Sequence, residues 1–220
     1  MYFKINCQVV PVNLVSKSAQ KQVYAFLDIG SEYTIMDQAL AEELGLEGEE
    51  APLAYKTIDG AGSVQSKQVS VEIQNISNNK CYMLEGVYTF PNLDLYGGTV
   101  RQAELNKWKH LANLNLPTYE NCKPQLLIGL DNAHLIASVT TGKVIKNAPI
   151  AAETKLGWTV FGKTVVSPSI QVIRPNPILN LLCTQREDKP EQSLSQQVEK
   201  FFSTEDFGVK LVPRDPMTEE

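Results

Sequence analysis

The chain has 220 residues, 43% of them hydrophobic and 20% charged, enough apolar material for a packed core without disulfide or metal staples. Its 25 acids and 20 bases give a formal net charge of −5, and nine of the acids against five of the bases fall from Thr184 onward. A chain so balanced offers no basic surface for nucleic acid or anionic lipid, and no run approaches the roughly 20 apolar residues of a membrane helix.

Residues 3–15 alternate apolar and polar side chains with β-branched members, which predicts a first strand rather than a signal peptide. Pro11 within it cannot donate to a ladder and marks an edge-like position. After a polar turn at 16–22, residues 23–27 form a short buried strand ending at Asp28-Ile29-Gly30-Ser31. Residues 33–36 are extended. Asp37 is placed to cap a helix over 38–44, with Leu40 and Leu44 one turn apart and Gly45 as its terminator. Residues 53–76 read as a hairpin whose tip, 58–63, is rich in glycine and whose returning arm carries Val69, Val71 and Ile73 at period two. Another strand spans 82–90. Leu105, Trp108 and Leu111, three apart, predict a short helix within 100–114. Leu126-Leu127-Ile128 is a fully apolar strand closed by Gly129, and Asp131 is placed to cap a short helical turn. Two apolar stretches follow within 144–166, both with strand character.

Many strands, few helices and no βαβ rhythm give an all-β class, a closed barrel with one or two short helices. The domain is expected over 1–166, a linker over 167–193, and a short amphipathic helix over 194–208 in a final segment, 194–220. The cysteines Cys7, Cys81, Cys122 and Cys183 are widely spaced, form no CxxC, and stand apart from His110 and His134. That pattern predicts no metal site and reduced, structural thiols in a cytoplasmic protein. Trp108 and Trp158 are expected as core or interface anchors. Gly60 and Gly62 lack the Gly-Lys-Ser/Thr that a phosphate loop requires.

Asp28 is the residue with chemistry. An apolar strand delivers its carboxylate to a sharp turn at Gly30, close to the core. A carboxylate so placed is equipped for general acid–base work if a second one shares its proton, because two close carboxylates cannot both ionise easily. The competing reading is a D-x-G-S turn in which Asp28 only accepts backbone hydrogen bonds.

The order of the features carries more than the tetrapeptide. Residues 25–31, the segment 35–46, Trp108-Lys109-His110-Leu111, Leu126-Leu127-Ile128-Gly129-Leu130-Asp131 and residues 153–162 follow one another in a fixed sequence. In this order the chain resembles a retropepsin-like aspartic protease, and more closely the aspartic peptidase domain of Bel/Pao-type LTR retrotransposon polyproteins. The likeness covers roughly residues 3–165, and the segment from Val198 to Gly208 resembles the join to a following reverse transcriptase. The resemblance implies that Asp28 is the catalytic carboxylate and that Ile29, Gly30 and Ser31 form the active-site loop. It places the substrate-covering flap on Asp59, Gly60, Ala61 and Gly62, and a supporting segment on Leu127, Ile128 and Gly129. It further implies a homodimer giving one Asp per chain, an extended peptide or polyprotein as substrate, and no cofactor or metal. The single D-x-G-S agrees, since a dyad built from it requires two chains.

Ile29 departs from the family pattern, which has Thr or Ser there. Isoleucine neither donates nor accepts the hydrogen bonds that tie the two loops across the dimer. Two readings stand: an aspartic endopeptidase, and an inactive scaffold of the same fold that dimerises or binds peptide.

Overall fold

The structure is a computed structural model, and it describes residues 2–57, 60–166 and 182–183. The chain divides into two units, Met1–Gln185 and Arg186–Glu220. The second unit, the expected helix at 194–208 and all of the expected linker except 182–183 lie outside the described residues.

In chain order the elements begin with β1 (Tyr2–Asn6), β2 (Val9–Val15), β3 (Gln20–Leu27), β4 (Ile35–Asp37), α1 (Gln38–Glu43), β5 (Gly48–Glu50), β6 (Leu53–Thr57) and β7 (Gly60–Val64). They continue with β8 (Lys67–Asn75), β9 (Cys81–Phe90), β10 (Gly98–Val100), α2 (Gln102–Leu105), β11 (Tyr119–Cys122) and β12 (Leu126–Ile128). A 3₁₀ turn (Leu130–Asn132), α3 (Ala133–Ile136), β13 (Thr140–Thr141), β14 (Ile150–Thr154), β15 (Gly157–Val166) and β16 (Leu182–Cys183) complete the series.

Strands β2, β3, β12, β4, β9 and β8 hydrogen-bond in that order, and β8 returns to β2, closing a six-stranded barrel. Closure removes the exposed edges that an open sheet of this size would carry. Inside lie Val10, Val12, Leu14, Val23, Ala25, Leu27, Met36, Val71, Ile73, Leu84, Leu126 and Ile128, all buried. Their alternation along β2, β3 and β8 is the period-two pattern of the sequence. Leu40 and Leu44 of α1 join the same core. The cap is as expected: the Asp37 carboxylate accepts from the Ala39 N–H at 3.0 Å, and Gly45 takes φ +62° just past the helix end.

Three expectations need correction. The strand over 3–15 is two strands that part at residues 7 and 8: β1 joins β15 in a separate sheet (β1-β15-β14-β13), whereas β2 enters the barrel. Pro11 keeps its edge-like place locally, because β8 pairs with β2 only from Val12 onward. The helix expected within 100–114 is one turn, Gln102–Leu105, followed by turns in which the N–H groups of Trp108, Leu111 and Leu114 donate to the carbonyls of Leu105, Trp108 and Leu111. An apolar spacing of three suits that i→i+3 bonding rather than the 3.6 of an α-helix. Finally, with three short α-helices and a 3₁₀ turn among the described residues, "all-β with one or two helices" understates the helical content around the barrel.

The segment between β9 and β12 carries β10, α2 and β11. It packs a second core of Val100, Leu105, Leu111, Leu116, Tyr119 and Cys122 against Val9 and Phe26 of the barrel. Trp108 and Trp158 are half-buried at its margin, in keeping with a packing role. His110 sets Nε2 3.0 Å from the Pro149 carbonyl and meets Trp108 edge-on, so it ties a loop. The hairpin β6–β7 seats Leu53, Tyr55 and Val64 on a third cluster with Ile35, Tyr88 and Leu127. Leu182 and Cys183, within the expected linker, pair with Lys56 and Tyr55 of β6.

Candidate active site

The barrel brings β12 between β3 and β4, two strands that follow one another in the chain. β12 runs parallel to β3, with Leu126, Leu127 and Ile128 opposite Ala25, Phe26 and Leu27. It runs antiparallel to β4, with Leu127 opposite Ile35. Parallel pairing makes β3 and β12 end side by side, so Asp28 and Gly129 leave the sheet at the same place. Two hydrogen bonds then carry the pairing into the loops: the Asp28 N–H donates to the Ile128 carbonyl at 3.0 Å, and the Leu130 N–H to the Ser31 carbonyl at 2.9 Å. The sequence-predicted Asp28, Gly30, Ser31, Ile128 and Gly129 are thereby assembled in one place.

Asp28 is only 7% exposed. Its Oδ1 accepts from the Gly30 N–H at 2.8 Å, which fixes the carboxylate over the turn. Its Oδ2 is buried and has no hydrogen-bond partner. Burial pushes the Asp28 carboxyl above the usual carboxylate range, and the Gly30 N–H partly offsets that by favouring the charged form. A buried acceptor without a partner costs about 1–3 kcal/mol, so a proton or a neighbouring donor at Oδ2 is favoured. Beside it, burial first and then the charge of Asp28 push the Cys7 thiol up, and burial alone raises Cys122 to about 12. Both thiols stay protonated at neutral pH, which makes them poor nucleophiles. Among the described residues, Cys7, Cys81 and Cys122 are free.

The loop around Asp28 is tightly held. Ser31 is fully buried and donates its hydroxyl to the Tyr33 carbonyl at 2.9 Å. Gly129 is required by close approach: a Cβ there would stand 2.5 Å from the Tyr33 carbonyl oxygen and 2.9 Å from that of Ser31. Ile29, by contrast, points outward and is 75% exposed, and Leu130 on the adjoining loop is 49% exposed.

Thr34 and Asn132, which the sequence did not single out, complete the site with Asp131. Thr34 is fully buried, and its hydroxyl donates to Asp131 Oδ1 at 2.6 Å. The Thr34 hydroxyl oxygen in turn accepts from the Gly129 N–H at 3.2 Å and from Asn132 Nδ2 at 2.9 Å. The Thr34 N–H donates to Asp131 Oδ2 at 2.8 Å. Asp131 therefore does not cap a helical turn, as its position suggested; both of its oxygens reach back to the strand after the Asp28 loop. The only sequence signal was a hydroxyl residue at the entrance to the apolar pair Ile35-Met36.

Of the predicted flap, Asp59 lies outside the described residues. Gly60, Ala61 and Gly62 do not form a free tip: they belong to β7, opposite Thr57, Lys56 and Tyr55. The Tyr55 ring covers Gly62 so closely that a Cβ there would lie 2.7 Å from it. A cavity of about 230 Å³ lies elsewhere, lined by Gln38, Leu46, Ser66, Lys67 and Thr89 among others, and does not include Asp28. Among the described residues no group of three or more His, Cys, Asp or Glu side chains is placed to hold a metal ion, and no helix is long and apolar enough to cross a membrane.

No protein-family model matches the chain, and no curated protein and no solved structure is significantly similar to it.

Proposed function

We propose that this chain is a retropepsin-like aspartic endopeptidase that acts as a homodimer, with Asp28 of each chain forming the dyad. The observation that carries the reading is the state of Asp28: nine-tenths buried, one oxygen fixed by the Gly30 N–H, the other without a partner. A second carboxylate brought to Oδ2 supplies what that atom lacks, because the pair holds one shared proton. One carboxyl then polarises the scissile carbonyl, and the other takes a proton from an attacking water. No acyl-enzyme forms. The insertion of β12 between β3 and β4 supports the reading, since it places a glycine-ended apolar strand directly behind the Asp28 loop.

The substrate class follows from the hairpin and the resemblance together. An extended peptide lying along β6–β7 gains main-chain hydrogen bonds, with side-chain preference set by flanking pockets. A longer polypeptide containing this chain is the proposed natural substrate. The test is cleavage of an extended peptide library at mildly acid pH by wild type and Asp28→Asn. Products from wild type alone are expected; equal products from both would sink the reading.

Ile29 favours a second reading, an inactive scaffold that dimerises or binds peptide. Its exposed side chain carries no hydroxyl with which to tie two loops together. Ile29→Thr separates the two. Cleavage gained from a silent wild type assigns the scaffold reading to this chain; cleavage already present in wild type removes it.

A further inference from the structure

The bonding around Thr34 is saturated. Its hydroxyl oxygen accepts twice, from the Gly129 N–H and Asn132 Nδ2, so both lone pairs are in use. Its one hydroxyl proton must therefore be donated, and Asp131 Oδ1 receives it. The Thr34 N–H goes to the other oxygen of the same carboxylate, and the Thr34 carbonyl accepts from the Tyr88 N–H at 3.0 Å. Only a group with two acceptor oxygens and no hydrogen fits position 131. Asp131 is itself exposed, so water serves its remaining lone pairs, whereas Thr34 and Asn132 are buried and have no such recourse.

The knot stands at the far end of a ladder that begins at Asp28. The Asp28 N–H meets the Ile128 carbonyl, the Leu130 N–H the Ser31 carbonyl, and the Asp131 N–H the Glu32 carbonyl. Residues 28–34 and 128–132 are thus fastened rung by rung, and Thr34 bolts the last rung to Gly129, Asp131 and Asn132. We propose that Thr34, Asp131 and Asn132 form a positioning network that fixes the Asp28 loop from within one chain. This rests on reading Asp28 as the catalytic carboxylate. It answers the question raised by Ile29: loop geometry that a hydroxyl at position 29 would secure between chains is secured inside the chain instead.

Thr34→Val keeps the shape and removes the hydroxyl. Thr34→Ser keeps the hydroxyl and is the conservative control. Asp131→Asn keeps the size, but its NH2 group meets either the Thr34 N–H, another donor, or the Thr34 hydroxyl oxygen, which has no free lone pair. Each full chain is assayed for kcat and KM on one extended peptide, and the Asp28 side-chain carboxyl is titrated by carbon-13 NMR with folding checked by circular dichroism. Loss of the loop's register lowers kcat of Thr34→Val by at least about tenfold with KM within about twofold, since small misplacements of a reacting group are costly. Thr34→Ser stays within about twofold of wild type. The Asp28 titration moves in Thr34→Val and Asp131→Asn, upward where the Gly30 hydrogen bond loosens and burial is kept, and stays in place in Thr34→Ser. Cys7, whose thiol the charge of Asp28 helps to push up, is unchanged in all three variants.

A folded Thr34→Val with wild-type kcat and an unmoved Asp28 titration overturns the proposal. Should Thr34→Val fail to fold, Asp131→Asn is read in its place; if neither folds, the network is a folding element and the positioning claim fails. Cleavage that depends on Asp28 yet ignores Thr34 defeats this proposal and leaves the catalytic reading intact. No cleavage by any chain, with the titration still moving in Thr34→Val, defeats the catalytic reading and leaves the positioning network standing.

Discussion

The Asp28 carboxyl is held above the usual carboxylate range by burial, with the Gly30 N–H opposing. A raised carboxyl pKa has a definite consequence for stability. The protonated form is the one the fold tolerates, so its contribution is fully present below the unfolded-state pKa and is lost as the pH rises through the folded-state value. Asp28→Asn removes the charge while keeping the oxygen that accepts from Gly30. Its expected effect is a gain in stability at neutral pH that vanishes below about pH 4, read from denaturant unfolding at both pH values. A variant that is destabilised equally at both would show that the charged carboxylate is welcome in the fold. Position 28 was legible in the sequence because an apolar strand running into D-x-G-S is a local pattern. Asp131 was not legible in its true role. Its partner Thr34 lies 97 positions away, and a carboxylate before a short helical turn looks like a cap from local sequence alone.

Among the elements, β12 does the placing. It is three residues long and fully buried, and it touches β3 on one side and β4 on the other. The run Leu126-Leu127-Ile128-Gly129 announced a buried strand, but no single sequence could name its neighbours, because strand pairing is a long-range property. Gly129 is the point at which it can be tested. Its φ of −96° suits any residue, so its constraint is space and not backbone freedom. Gly129→Ala forces a methyl against the Tyr33 carbonyl and is expected to cost about 3 kcal/mol, or to displace the Asp28 loop and abolish cleavage. An alanine variant with wild-type melting temperature and activity would show that the two loops part more readily than their packing implies. The hairpin offers a parallel case. Gly62→Val must evict the Tyr55 ring from its seat beside Phe90, and a rise in KM with kcat nearly unchanged is expected if the hairpin binds substrate. The sequence marked this hairpin by its glycines but misplaced its tip and its returning arm: Gly60 to Gly62 are drawn into the ladder by register with Tyr55 to Thr57, and Val69, Val71 and Ile73 lie on β8, which pairs with β9 and β2 in the barrel. The spacing of Leu105, Trp108 and Leu111 misled for a similar reason: three-residue spacing was read as a helix face where the backbone makes successive tight turns.

At the scale of the whole molecule, the proposed reading makes one chain half of a site. Asp28 sits at the barrel's end with a partnerless oxygen, and the exposed Ile29 and Leu130 stand on the two loops beside it. A dyad across a twofold axis makes specific activity depend on protein concentration, rising steeply when dilute and levelling once dimers saturate. The barrel itself was legible from the strand count and the absence of a βαβ rhythm, whereas its closure through β2 and β8 was not, because it depends on pairing between Val12–Val15 and Glu72–Asn75. The most direct test of the two-chain dyad is to mix wild type with roughly a tenfold excess of Asp28→Asn and follow peptide cleavage after the chains have exchanged. If each site takes one Asp28 from each chain, nearly every wild-type chain is paired with an inactive partner, and activity falls to about a tenth of its starting value. Activity unchanged by the mixing, from chains shown to have exchanged, would contradict the account and place the whole reaction within a single chain.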